Sequence, residues 1–110
     1  MNKASNSIWK ETAPQQLAEV ICRIGDKNNL ENFLSDVMTK KEIIEISSRL
    51  EAARLLSDGV KYTDITRQTK LSSRTVARIS QWIKNGYGGY LLAIDIINNH
   101  HLHIQPDSAD

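Results

Sequence analysis

The chain has 110 residues, of which 40% are hydrophobic and 25% are charged, and its formal net charge is +1 at pH 7. This size suits one soluble domain and excludes two independent hydrophobic cores. Leu, Ile and Val are plentiful, whereas there are only 5 glycines and 2 prolines, which favours an all-α fold. No apolar run approaches the ~20 residues that cross a bilayer, and the N-terminus lacks a signal-peptide core. We therefore expect a cytoplasmic protein with no membrane partner.

The N-terminal third is predicted to hold a mobile segment and two short helices. Residues 1–14 are mostly polar, and we expect them to be mobile. A single helical domain is predicted over residues 15–99, and its first two helices are predicted at 15–24 and 29–38. The lone Cys22 cannot form an internal disulfide, and we expect it to be a buried helix residue.

A long third helix is predicted over residues 40–57. Thr39 is a suitable N-cap, and Glu42 three residues later completes a capping box. The apolar residues of this helix cover more than one stripe, which predicts that two of its sides are buried. Gly59 supplies the residue at which the helix stops.

The segment 62–84 has the pattern of a helix-turn-helix. Its apolar residues are spaced so that two helices crossing at a steep angle can share one small core. Ser72 is the predicted N-cap of the second helix, at 73–84, and a final helix is predicted at 90–99. The usual pattern has glycine where Lys70 lies, so either Lys70 adopts a left-handed backbone at some energetic cost or the turn differs.

Positive charge is concentrated in this same segment. Residues 60–84 contain six basic residues and a single acidic one, Asp64, so this window carries +5 while the rest of the chain carries −4. A polyanionic partner is therefore expected for one region of a nearly neutral molecule, as for a reader of double-stranded DNA.

The second helix of the pair is the predicted recognition helix. By the helical period, Val76, Ile79 and Ile83 point inward, and the opposite face enters the major groove of DNA. The predicted base-reading residues are Ser73, Arg74, Ala77, Arg78 and Gln81. Arg74 is the strongest candidate because a guanidinium can bind N7 and O6 of guanine with two parallel hydrogen bonds. The predicted phosphate contacts, which fix register without reading sequence, are Lys61, Thr63, Arg67, Lys70, Ser72 and Thr75.

About half of the chain, from Met38 onward, resembles the Trp-repressor superfamily, and it is most similar to the YerC/YecD group of Trp-repressor-like regulators. The residues that carry the resemblance are the capping box at 39–42, the run RLEAARLL at 49–56, Gly59, the helix pair at 62–78, Lys84 and the run GYGGY at 86–90. The resemblance implies a Trp-repressor-like, intertwined homodimer that acts as a transcriptional repressor. Each subunit then places a helix in successive major grooves of a palindromic operator, about one DNA turn apart.

The resemblance also implies a small-molecule pocket, but it argues against tryptophan as the ligand. Ile79 and Trp82 occupy the positions where a tryptophan corepressor needs room and a hydroxyl group. We therefore expect no tryptophan cofactor and leave another effector open. Arg49 has an alternative role, because it can pair with Glu45 or with an acidic residue across the dimer. The three positions that match the family's effector pocket are Thr39, Arg49 and Arg78.

The C-terminal tail offers a second site to consider. Residues 100–110 are largely polar, and we expect them to be disordered. Imidazoles bind zinc or nickel, and His100, His101 and His103 lie close together in this tail. Without cysteine ligands nearby, the pattern favours no specific metal site.

The sequence also bears on whether the protein belongs to another class. The sequence contains no glycine-rich phosphate loop, no nucleophile elbow and no histidine and carboxylate arrangement in helical register, so we predict that it is not an enzyme. The alternative is a dimeric helical protein-interaction module without DNA binding, whose basic face meets an acidic protein.

Overall fold

The structure is a computed structural model that describes residues 7–99, and these residues form helices joined by short connections. The predicted mobile residues 1–6 and the predicted disordered tail 100–110, with its three histidines, lie outside the described residues. Within 7–99 there is no strand, so the predicted all-α class is confirmed. A short 3-10 helix at Ser7–Lys10 precedes the α-helices. The α-helices are α1 (Thr12–Ile24), α2 (Lys27–Val37), α3 (Lys40–Ser57), α4 (Tyr62–Thr69), α5 (Ser73–Asn85) and α6 (Gly89–Asn99).

The N-terminal boundary differs from the prediction. Part of the segment expected to be mobile is helical, because the 3-10 helix begins at Ser7 and α1 begins at Thr12 rather than at Gln15. The side-chain amide of Gln15 donates a hydrogen bond to the carbonyl of Trp9 at 2.8 Å. This bond ties the first turns of α1 to the 3-10 helix, which the polar composition of the segment did not indicate.

Side chains at the start of α2 and α3 satisfy backbone N–H groups that have no partner inside the helix. The carboxylate of Asp26 accepts from the backbone N–H of Asn28 at 2.8 Å, so α2 begins two residues earlier than predicted. Before α3 the capping box is confirmed: the Thr39 hydroxyl accepts from the Glu42 N–H at 3.0 Å, and the Glu42 carboxylate accepts from the Thr39 N–H at 2.8 Å. The predicted bounds of α3 are confirmed as well.

The chain divides into two compact units, and the boundary lies inside α3, between Glu45 and Ile46. In the first unit, none of the described residues 7–45 is buried in the single chain. The prediction that Cys22 is buried is therefore wrong for this chain, since Cys22 is exposed. Within its unit α1 packs on the 3-10 helix and on α2, and these contacts leave Cys22 uncovered. The single domain expected over 15–99 stays a prediction.

The second unit has a hydrophobic core of its own. Its buried apolar residues are Ala52, Ala53, Leu55, Ile65, Val76, Ile79 and Ile94. They come from α3, α4, α5 and α6, so one small cluster fixes the helix pair α4 and α5. On α3 the burial is confined to the C-terminal half. Ile44 and Ile46 stay 58% and 56% exposed, so the prediction of two buried sides does not hold along the whole helix.

A left-handed residue makes the turn between α4 and α5. Lys70 has φ 65 and ψ 10, as the sequence pattern required for an ordinary helix-turn-helix, and its N–H donates to the carbonyl of Thr66 at 2.9 Å. The buried hydroxyl of Thr69 donates to the carbonyl of Ile65 at 2.7 Å and accepts from the N–H of Leu71 at 3.3 Å. The backbone N–H groups of Lys70 and Leu71 in the turn thus both have hydrogen-bond acceptors.

Candidate nucleic-acid interface

The start of the candidate recognition helix, α5, is fixed by Ser72. The Ser72 hydroxyl accepts from the backbone N–H of Thr75 at 3.1 Å, which confirms Ser72 as the N-cap. The same hydroxyl donates to Oγ1 of Thr75 at 3.0 Å. Because Oγ1 of Thr75 is the acceptor in that bond, its own proton stays available to another acceptor such as a phosphate oxygen.

Burial divides α5 into an inner and an outer face. Val76 and Ile79 are fully buried, as predicted, and Ile83 is half-buried at the edge of the core. All of the predicted base-reading residues are exposed on the remaining face: Ser73, Arg74, Ala77, Arg78 and Gln81. The structure therefore leaves this face free to approach a ligand, while the assignment of these residues to bases stays a prediction.

The predicted phosphate contacts lie on and around α4 and the turn. On α4 and its cap, Thr63, Arg67 and Lys70 are spaced at i, i+4 and i+7, which places them on one stripe, and all three are exposed. Ser72 is exposed but uses its hydroxyl as the N-cap, and Thr75 is half-buried. Lys61, just before α4, is exposed. The cationic groups are thus accessible, whereas the hydroxyls of Ser72 and Thr75 already take part in hydrogen bonds within the chain.

The arginines of this surface differ in their ion pairing. Among residues 7–99, Arg74 and Arg78 make no ion pair, so their charges are not compensated within the described chain. Arg67, in contrast, donates from Nη2 to Oδ1 of Asp64 at 2.8 Å. This pair was not predicted from the sequence, although the i, i+3 spacing of Asp64 and Arg67 on a helix was a signal for it.

Among the described residues, Arg54, unlike Arg74 and Arg78, is paired with carboxylates of its own chain. Arg54 of α3 donates to Glu51 at 2.6 Å and to Asp58 at 3.3 Å, and the hydrogen bond to Glu51 raises the pKa of its guanidinium. Its charge is therefore balanced locally. On α5, in contrast, the charges of Arg74 and Arg78 have no such partner among residues 7–99.

The three residues matched to an effector pocket do not belong to one unit. Thr39 lies in the first unit, where its hydroxyl is used in the capping box, whereas Arg49 and Arg78 lie in the second. Arg49 is half-buried. Burial raises the pKa of the Tyr90 hydroxyl, and the positive charge of Arg49 partly opposes that rise. The effector pocket stays a prediction.

The two residues that argue against a tryptophan ligand have different surroundings. Ile79 is fully buried in the core of the second unit, whereas Trp82 is 44% exposed. The Ile79 side chain therefore packs in the core and helps to hold α5 there. Within residues 7–99, no group of three or more His, Cys, Asp or Glu side chains is arranged to hold a metal ion. None of the helices in the same range is long and apolar enough to span a bilayer.

The Ser72 cap gives a testable consequence for the stability of this surface. We expect Ser72→Ala to lower the free energy of unfolding by about 1 kcal/mol, because the N–H of Thr75 loses its acceptor. Ser73→Ala is the matched control, since Ser73 is exposed and makes no side-chain cap. Urea unfolding followed by circular dichroism measures both. Equal losses in the two variants would contradict the capping role.

Comparison with known proteins agrees with this architecture. The model of the family described as Trp repressor protein matches residues 13–97. The chain is also 32% identical over 80 residues to "Uncharacterized protein YerC" of Bacillus subtilis (strain 168), a match that covers 73% of this chain and 77% of that relative. No solved structure gives a significant match. The match to the family model spans most of the chain, and this protein belongs to the Trp repressor family, a family of regulators rather than enzymes.

Proposed function

We propose that this protein is a sequence-specific DNA-binding transcriptional regulator that represses from a palindromic operator as a homodimer. The observation that carries the proposal is the outer face of α5, where Arg74 and Arg78 are exposed and unpaired among the described residues. That face follows a helix-turn-helix turn in a chain of the Trp repressor family. A helix presented in this way fits the major groove, where guanidinium groups bind guanine.

Electrostatics support DNA as the partner. The window 60–84 carries +5, and the cations on α4 and in the turn are exposed and precede α5 directly in the chain. Cations at such positions neutralise backbone phosphates and release counterions, which supplies affinity without reading sequence. In this proposal the exposed side chains of α5 read bases, and the exposed cations of α4 and the turn bind phosphates.

The apolar surface of the single chain supports a homodimer. Large apolar side chains remain exposed on α1 in the first unit, on both sides of the unit boundary in α3, and on α6 in the second unit, and exposed apolar surface of this kind marks protein interfaces. The exposed residues of these three helices are Leu17, Val20, Ile21, Ile44, Ile46, Leu91, Leu92 and Ile96. A two-fold dimer repeats α5 symmetrically, and a palindromic operator mirrors that symmetry.

We further propose that DNA binding does not need tryptophan. Ile79 holds α5 against Ile65 and the small residues of α3 without any ligand, because it is fully buried by the chain itself. A small effector other than tryptophan is compatible with this, since Arg49 and Arg78 are not part of the core. A cytoplasmic location is part of the same proposal, as expected for a regulator that binds chromosomal DNA.

The first test is binding to double-stranded DNA at several ionic strengths. We expect binding whose affinity falls steeply between about 50 and 200 mM salt, with a slope of about 0.9 per neutralised phosphate. Fluorescence anisotropy with labelled genomic fragments measures it, and added L-tryptophan should leave the affinity unchanged. Failure of the protein to bind any fragment at low salt would contradict the proposal and favour the protein-interaction module.

The second test concerns sequence reading by Arg74. A specific duplex is first selected from a random DNA pool, and Arg74→Ala is then expected to lose about 1–3 kcal/mol of preference for it over random DNA. Arg23→Ala is the control, because it removes the same charge from exposed α1. An equal loss on both duplexes would show that Arg74 contacts only phosphate.

The third test concerns the homodimer. Leu17 is exposed on the apolar face of α1, so Leu17→Glu is expected to bury a charge in the interface and shift the protein toward monomer. Its neighbour Gln16 is polar and exposed, and Gln16→Glu adds the same charge as a control that stays dimeric. Sedimentation velocity at several protein concentrations measures the shift. A wild-type protein that is monomeric at every concentration would rule out the dimer.

A further inference from the structure

Asp64 is the single acidic residue of the positively charged window, and it lies within the proposed DNA-binding surface. It is half-buried in the first turn of α4, where a negative charge is favoured by the helix dipole. Its Oδ1 accepts from Nη2 of Arg67 at 2.8 Å. The carboxylate therefore has a structural role at the helix start and a second contact with a cation that is proposed to bind DNA.

The pairing makes Arg67 different from two neighbouring cations, Lys61 and Lys70. Lys61 and Lys70 are exposed and make no ion pair among residues 7–99, whereas Arg67 is exposed but paired. A carboxylate presents to a guanidinium the same kind of oxygen acceptor that a phosphate does. A DNA phosphate that binds Arg67 must therefore displace Asp64 or share the guanidinium with it.

On the basis of the proposed function, we propose that Asp64 is a positioning residue that limits binding to DNA of any sequence. Its carboxylate occupies Arg67 in place of a backbone phosphate, so Arg67 contributes less counterion release than its charge allows. The surface then keeps its unpaired arginines on α5, where bases are read, and has weaker phosphate binding on α4. This arrangement lowers sequence-independent affinity without removing a cation from the chain.

The experiment compares Asp64→Asn with wild type on a duplex of random sequence, so no operator needs to be known. An exposed ion pair shifts an equilibrium by up to about fivefold. We therefore expect affinity to rise by about 2- to 25-fold for the two protomers of a dimer. The slope of log affinity against log salt should become steeper by about 0.9 per protomer, because Arg67 gains a phosphate. The double variant Asp64→Asn, Arg67→Gln should lose both gains.

Glu19→Gln is the matched control, since Glu19 pairs with Arg23 on α1 and its loss changes the net charge by the same amount. An equal gain in Glu19→Gln would overturn the inference, because net charge alone would explain the effect. A gain that persists in the double variant would also overturn it, since Asp64 would then act by repelling DNA directly.

A second comparison keeps Asp64 in place, so the carboxylate at the start of α4 is retained in every variant. Arg67→Gln and Lys70→Gln remove one charge each from the same stripe. We expect Lys70→Gln to lower the salt slope by about 0.9 per protomer and Arg67→Gln to change it by less than half of that. Equal changes would overturn the inference. Absence of DNA binding by the wild-type protein would contradict the proposed function as well, whereas wild-type binding with equal slopes would contradict this inference alone.

Discussion

The packing of Ile65 of α4 against Val76 and Ile79 of α5 determines which face of the candidate recognition helix is free. All three side chains are fully buried, and they share one core cluster with Ala52 and Ala53 of α3. Burying each large apolar side chain contributes about 1.5–3 kcal/mol, so rotating α5 about its axis would expose apolar surface at a comparable cost. The direction of the arginine face is thus a consequence of the core.

The turn between α4 and α5 requires a left-handed backbone conformation, which has a cost in conformational energy. A left-handed backbone costs a residue with a side chain about 1–2 kcal/mol, and Lys70 adopts it where glycine would have been free of that cost. The hydrogen bond from its N–H to Thr66 and the two bonds made by the Thr69 hydroxyl offset part of it. What the chain gains is a cation beside the α5 N-terminus that glycine cannot supply.

Local signals in the sequence were sufficient for the starts of α3 and α5 and for the inward face of α5, but not for burial that depends on other segments. The bounds of α3, the Ser72 cap and the inward face of α5 follow from capping residues and helical spacing, which act within a few residues. The burial of Cys22 and Ile44 was predicted wrongly, because periodicity shows which face is apolar and not which segment covers it. The Asp64 to Arg67 pair depends on side-chain rotamers, so spacing alone did not establish it.

The contrast between the two units connects folding with the proposed dimer. Ordering the backbone costs about 1–2 kcal/mol per residue, and a helical unit with no buried residue cannot offset that from its own contacts. None of residues 7–45 of the first unit is buried in the single chain, whereas the second unit has its own core. Association through the exposed apolar faces of α1 and α6 would supply the missing burial and make stability depend on protein concentration. In that case α1 becomes ordered in the same association step that brings the two α5 helices together on one DNA-binding surface. The α5 helices then act as a pair only when both chains are folded.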